Sequence, residues 1–172
     1  MKKVLLLVSL SVGIFSGCTL PGNPPSDSIT EALSAGFMVG VNYAKNHSST
    51  RINDLGIFDM DVAFQDDLGR ECDGITLRSS WYLTREQEIS VVAVKKVGCR
   101  IGFSSYWAGR LLAEGGYDDF SLCDTTFADK LRQGVPGVWE HYGLPATSYR
   151  ELTAQEMTRV KNTCHLGYTE NQ

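Results

Sequence analysis

Ile89-Ser90-Val91-Val92-Ala93-Val94-Lys95-Lys96-Val97-Gly98-Cys99-Arg100-Ile101-Gly102-Phe103 is the longest segment in which helix and strand compete, and the architecture turns on it. Apolar residues stand at Ile89, Val91, Ala93, Val97, Cys99, Ile101 and Phe103, every second position, with Lys95 the exception. A strand turns one face inward every two residues, so this alternation and the β-branched run 89–94 favour β structure. Upstream, Ile75, Leu77, Trp81 and Leu83 alternate in the same way. The polar Thr84-Arg85-Glu86-Gln87 between the two runs would turn a hairpin. A competing reading makes 86–97 a helix, with Thr84 as its cap and Gln87 completing a capping box. The β-branched residues weigh against that helix, and the strand is the expectation.

Working outward, Phe58, Met60, Val62 and Phe64 alternate against Asp59 and Asp61, which predicts a third antiparallel strand. Before it, Ser28 and Glu31 have capping-box spacing, and a helix should run to about Asn46. That helix carries an apolar ridge (Ile29, Leu33, Phe37, Val41) beside a small one (Ala32, Gly36, Gly40, Ala44). Small ridges let another backbone approach closely. From Ser104 the period becomes helical. A short helix should end at Gly115-Gly116, and a second, marked by Phe120, Cys123, Phe127 and Leu131, should stop at Gly134 and Pro136. Trp139, His141 and Tyr142 then fall in an irregular stretch. A last helix carries Tyr149, Leu152, Met157, Val160 and Cys164, with Ser148/Glu151 and Thr153/Glu156 as rival capping boxes. The expected class is α+β: an N-terminal helix, a small three-stranded antiparallel sheet, a helical C-terminal half and two disulfides.

The chain begins Met1-Lys2-Lys3, followed by the uncharged run from Val4 to Phe15. A basic start and a short apolar run are the marks of a secretory signal, and the run falls short of the roughly 20 residues needed to span a bilayer. Phe15-Ser16-Gly17-Cys18 follows. This segment resembles the lipobox of bacterial lipoproteins, with Phe15 where Leu is usual. The resemblance covers residues 1–18 only. It implies cleavage after residue 17 and acylation of Cys18, and with Thr19 rather than Asp next, sorting to the outer membrane with the domain facing the periplasm. Two or three acyl chains give stable attachment where one does not. Residues 18–27 are then the lipidated terminus and a proline-rich tether. The nine residues from Thr19 reach at most about 30 Å. Residues 28–172 form a single domain.

Loss of Lys2 and Lys3 with the signal leaves 14 basic against 20 acidic side chains, a net charge of −6. With no Lys/Arg cluster, nucleic acid is excluded as a natural partner. Besides Cys18 there are four cysteines, Cys72, Cys99, Cys123 and Cys164, and an even number in an exported domain implies two disulfides. In the expected hairpin Leu83 pairs with Glu88, and counting outward sets Cys72 opposite Cys99. Cys123 and Cys164 pair by elimination.

No HExxH, GxSxG, Walker or GxGxxG motif occurs, and His47, His141 and His165 are scattered. Lipoproteins that cut cell-wall peptides use a Cys–His pair in an Asp-Cys-Ser motif, which Leu122-Cys123-Asp124 lacks. The acidic group Asp59, Asp61, Asp66, Asp67, Glu71 and Asp73 lacks the regular alternation and glycine of a calcium loop. No metal site, cofactor or catalytic residue is therefore assigned. Tyr106, Trp107, Trp139 and Tyr142 are the partner-binding candidates, because such residues are favoured at binding hot spots; they equally fill small cores, and the core is the favoured reading. The expectation for function is a membrane-anchored accessory lipoprotein that positions a protein of an envelope assembly, with a cell-envelope hydrolase or a small inhibitor as alternatives.

Overall fold

The computed structural model describes residues 26–46, 70–76 and 83–172. Its elements are α1 (Ser26–Asn46), α2 (Arg70–Asp73), α3 (Arg85–Glu114), a 3-10 turn Phe120–Cys123, α4 (Thr126–His141), a second 3-10 turn Ala146–Ser148, and α5 (Ala154–Thr169). There is no strand among the described residues, so over them the expected α+β fold with its three-stranded sheet gives way to a helical one. The hairpin fails because its second strand is the first half of α3. The expected strand over 57–64 lies outside the described residues.

The capping box decides the start of α3. Thr84 Oγ1 accepts from the Gln87 amide at 3.2 Å, and Gln87 Oε1 accepts from the Thr84 amide at 3.0 Å. From Val97 to Gly109 every residue of α3 is buried. A helix surrounded on all sides shows no amphipathic period, so nothing in its apolar spacing distinguishes 3.6 from 2. The β-branched run costs only tenths of a kcal/mol per residue, which packing overrides.

Glycines set the packing. Gly36 and Gly40 on α1 lie against the backbone of Lys95, Cys99 and Phe103, while Gly98 and Gly102 on α3 lie against Leu33 and Phe37. The two GxxxG faces thus interlock reciprocally, in parallel. A methyl group at Gly36 would overlap the Lys95 carbonyl oxygen, and one at Gly98 that of Leu33. The same device joins α3 to α5, where Gly109 meets Cys164 and Tyr168, and Gly167 meets Tyr106 and Arg110. Hydrogen bonds Arg159–Ser34 and Lys45–Glu170 show α5 and α1 running the same way. Helices α1, α3 and α5 are therefore parallel. Helix α4 is antiparallel, since Cys123 before it bonds Cys164 and Tyr142 after it reaches Arg100.

Helices α3 and α4 end in the same motif. Tyr117 N–H bonds Leu112 C=O and Gly116 N–H bonds Ala113 C=O; Leu144 bonds Trp139 and Gly143 bonds Glu140 in the same pattern. Gly116 and Gly143 take φ of +70° and +69°, the left-handed conformation this motif requires. Helix α4 runs through Gly134 and Pro136, where a stop was expected, and so carries Trp139 and His141 on a helix rather than in a loop. Pro136 forfeits one backbone hydrogen bond, which burial of Phe127, Leu131, Val135 and Trp139 offsets. Helix α5 starts at the Thr153/Glu156 box.

Both disulfides join the pairs expected, Cys72–Cys99 and Cys123–Cys164, though the hairpin count behind the first does not exist. The first staples α2 to the middle of α3 beside Ile75 and Val39, and the second ties the turn before α4 to α5. In the chain-entropy account each contributes about 3–4 kcal/mol.

The packing makes a paired prediction. Gly36→Ala should destabilise the mature domain by more than the ~1–3 kcal/mol of ordinary overpacking, because backbone rather than a side chain must move. Gly137→Ala on α4, with open space at its Cβ, should be neutral or gain up to about 1 kcal/mol. Urea unfolding of the two variants checks the contrast.

Candidate functional site

Two places combine chemistry with geometry: a polar cluster around Arg100 and an aromatic edge at Tyr117–Phe120. The cluster follows from the first disulfide. Bonding Cys72 to Cys99 brings their sequence neighbours Asp73 and Arg100 together. Arg100 is only 4% exposed. Its Nε donates to the Tyr142 hydroxyl at 2.6 Å and its Nη2 to Asp73 Oδ1 at 3.3 Å, while the Tyr142 hydroxyl donates to the same Oδ1 at 2.7 Å. The Tyr142 ring also takes the charges of Arg100 and Lys96, at 5.4 and 5.8 Å from its centroid. Arg100 Nη1 is buried without a hydrogen-bond partner.

Burial, then the Asp73 hydrogen bond, push the Tyr142 hydroxyl well above its ordinary range. Burial alone would raise Asp73, but the Tyr142 hydrogen bond and the Arg100 charge outweigh it and hold the carboxyl below its usual 3.8. Neither group titrates near neutrality, as a general acid or base would. The triad is a clamp holding α2, α3 and the end of α4 together.

The other partner-binding candidates from the sequence lie in the core. Tyr106, Trp107 and Trp139 are buried, and Tyr142 is half-buried in the clamp. Tyr106 keeps a polar tip at the surface, donating to Glu170 at 2.8 Å, with Lys45 closing the group. Trp139 stands edge-on to Tyr149. Cys123, in its disulfide, has no thiol to offer a histidine, and all four cysteines of the domain are so used. His165 Nε2 lies 3.3 Å from Asp124 Oδ2, out of line for a hydrogen bond. Among the described residues no group of three potential metal ligands occurs, and no helix is long and apolar enough to cross a membrane. Cys18 lies outside the described residues.

A small cleft with a cavity volume of about 20 Å³ lies between α1 and α5, with Leu33, Phe37, Ile101 and Val160 in its lining. Its polar rim is already engaged: Arg159 bonds Ser34, and Glu156 holds Arg150 in a two-pronged pair while capping α5. It offers no unengaged polar group to orient a ligand.

The aromatic edge is what the sequence reading missed. The segment Tyr117-Asp118-Asp119-Phe120 links α3 to the first 3-10 turn, and its two rings are 43% and 51% exposed. The backbone beneath is fixed. The α3 end motif holds Tyr117, the Tyr168 hydroxyl donates to Tyr117 C=O at 2.7 Å, and Asp119 caps the turn through Ser121. The Phe120 ring meets His165 edge-on at 5.1 Å and tilts against Tyr168 at 6.0 Å. The available signal was a pair of aromatics among acids directly after the helix-ending glycines, outside any apolar period.

No family model, curated protein or solved structure matches this chain.

Tyr142→Phe should cost about 1–3 kcal/mol, since it leaves Arg100 with a second buried unpaired nitrogen. Asp73 and Glu156 both have lowered pKa values, from 3.8 and 4.5, so the stability they add is present above those values and lost as pH falls below them. Urea midpoints should hold from pH 7 to about 5 and then fall, and Glu156→Gln should shrink that fall.

Proposed function

We propose that this chain is a lipid-anchored accessory protein of a bacterial envelope, holding or positioning a protein component of an assembly such as a secretion, pilus or conjugation apparatus. The lipobox resemblance at Cys18 supports an anchor, and Thr19 after it supports the outer membrane with the domain in the periplasm. The proline-rich residues ahead of Ser26, where α1 begins two residues earlier than the sequence suggested, fit a tether of limited reach.

The observation that carries the binding role is the rigid aromatic edge. Two large rings held in water by a fixed backbone are a cost to a monomer, and such residues supply contact area at low entropic cost when a partner covers them. Two disulfides and a glycine-locked bundle support the same reading, because a positioning element must hold its shape.

Crosslinking in cells, followed by pull-down of the tagged protein from solubilised membranes, tests the role. A stoichiometric envelope protein among the captured species is expected; recovery of the lipoprotein alone would turn the search to enzyme activity. For the anchor, Cys18→Ala should abolish labelling by an alkyne fatty acid and leave an unprocessed precursor. A normally processed, soluble product would refute the lipid attachment.

A further inference from the structure

The edge has a charge as well as a shape. Residues 114–124 contain Glu114, Asp118, Asp119 and Asp124, and no Lys or Arg. Glu114 is neutralised by Arg110 at 2.6 Å. Asp119 is fully committed to Ser121, whose amide and hydroxyl it accepts at 2.8 and 2.7 Å, yet it keeps its charge. Asp118 is exposed, and Asp124 lies 3.3 Å from the His165 imidazole. The fold adds to this sign. Parallel α1, α3 and α5 all direct their carbonyl ends toward this end of the bundle, against the single amide end of α4, and a helix C-terminus carries about half a negative charge. Lys45, the nearby cation on α1, is paired with Glu170 at 2.8 Å.

Position distinguishes the kinds of surface that could cover it. The tether enters at the start of α1, and α1 runs the other way for 21 residues, roughly 30 Å. The edge therefore lies at the end of the domain remote from the tether. A negative surface there is repelled by anionic lipid headgroups.

We propose that the Tyr117–Phe120 edge docks a cationic segment of a protein partner, with the two rings receiving its aliphatic or guanidinium groups and Asp118 and Asp124 its charges. This rests on the accessory role proposed above and names the surface and the chemistry of its partner. A Lys or Arg set over an aromatic face gains from the ring as well as from the carboxylates, which selects basic over merely apolar segments.

Site-specific photocrosslinking of the full chain in its own cells tests it, with p-benzoyl-phenylalanine in place of Phe120. Ile89, exposed near the tethered end, serves as the comparison position. Expected is a discrete protein adduct from position 120, with Lys or Arg within a few residues of the crosslinked site. Asp118→Lys should reduce its yield five-fold or more without changing the melting temperature. A lipid adduct, an acidic crosslinked segment, or a yield indifferent to Asp118→Lys would overturn the proposal. A protein adduct from position 89 but not 120 would overturn it while leaving the accessory role standing. Absence of protein adducts from both, with an empty pull-down, would remove both.

Discussion

The structure depends on the direct contact of the α1 and α3 backbones at Gly36, Gly40, Gly98 and Gly102. Glycine in a helix interior costs about 1 kcal/mol relative to alanine, so these four positions weaken both helices as isolated segments. What offsets that loss is an interface without intervening side chains, where carbonyl oxygens reach the facing Cα atoms and dispersion contacts run the length of the pair. The arrangement is stable only when both helices are present and in register. The Cys72–Cys99 disulfide sits where the register is fixed, since Gly36 and Gly40 both press on the backbone of Cys99.

Interlocking glycines also settle direction. Because Gly98 meets Leu33 and Gly102 meets Phe37, α1 and α3 must be parallel. The second pair of glycines, Gly109 and Gly167, imposes the same sense on α5. Three carbonyl ends therefore gather at one end of the molecule. Antiparallel neighbours would have cancelled their dipoles; here packing geometry produces an electrostatic property that no single residue encodes.

What was legible in the sequence was local. Ridges of small residues on α1 and the stop at Gly115-Gly116 rest on short-range chemistry, and of the two rival boxes before α5 the one at Thr153 is used; the cysteine pairs are those expected, but the hairpin count behind the first was not the reason. The central helix was not legible: from Val97 to Gly109 burial on every side removes the amphipathic period that distinguishes a helix from a strand, and before it the β-branched run 89–94 reads as a strand. Its capping box at Thr84 and Gln87 outweighed the β-branched run 89–94, and a GxxxG pair at Gly98 and Gly102, matching Gly36 and Gly40, was the long-range signal in view. The stop placed at Pro136 failed for a related reason: the apolar face of α4 continues through Val138 and Trp139 and is buried throughout. At the candidate site, filling the core was the favoured use of Tyr106, Trp107 and Trp139, and their burial agrees with it.

The distinction between those buried aromatics and the exposed pair at Tyr117 and Phe120 has a structural origin. Tyr106 and Trp107 stand on α3 where neighbours surround it, whereas Tyr117 and Phe120 follow the residue at which Gly116 turns the chain into the left-handed conformation. Ending α3 there throws the next residues off the bundle, and Asp119 immediately re-caps the chain before it can collapse onto the core. A mobile loop with the same sequence could fold its rings inward; one pinned by the helix-end motif, the Asp119 cap and the Tyr168 hydrogen bond cannot. The exposure of the edge is thus imposed by backbone chemistry, and it falls at the end of the bundle to which the parallel helices already give a negative sign.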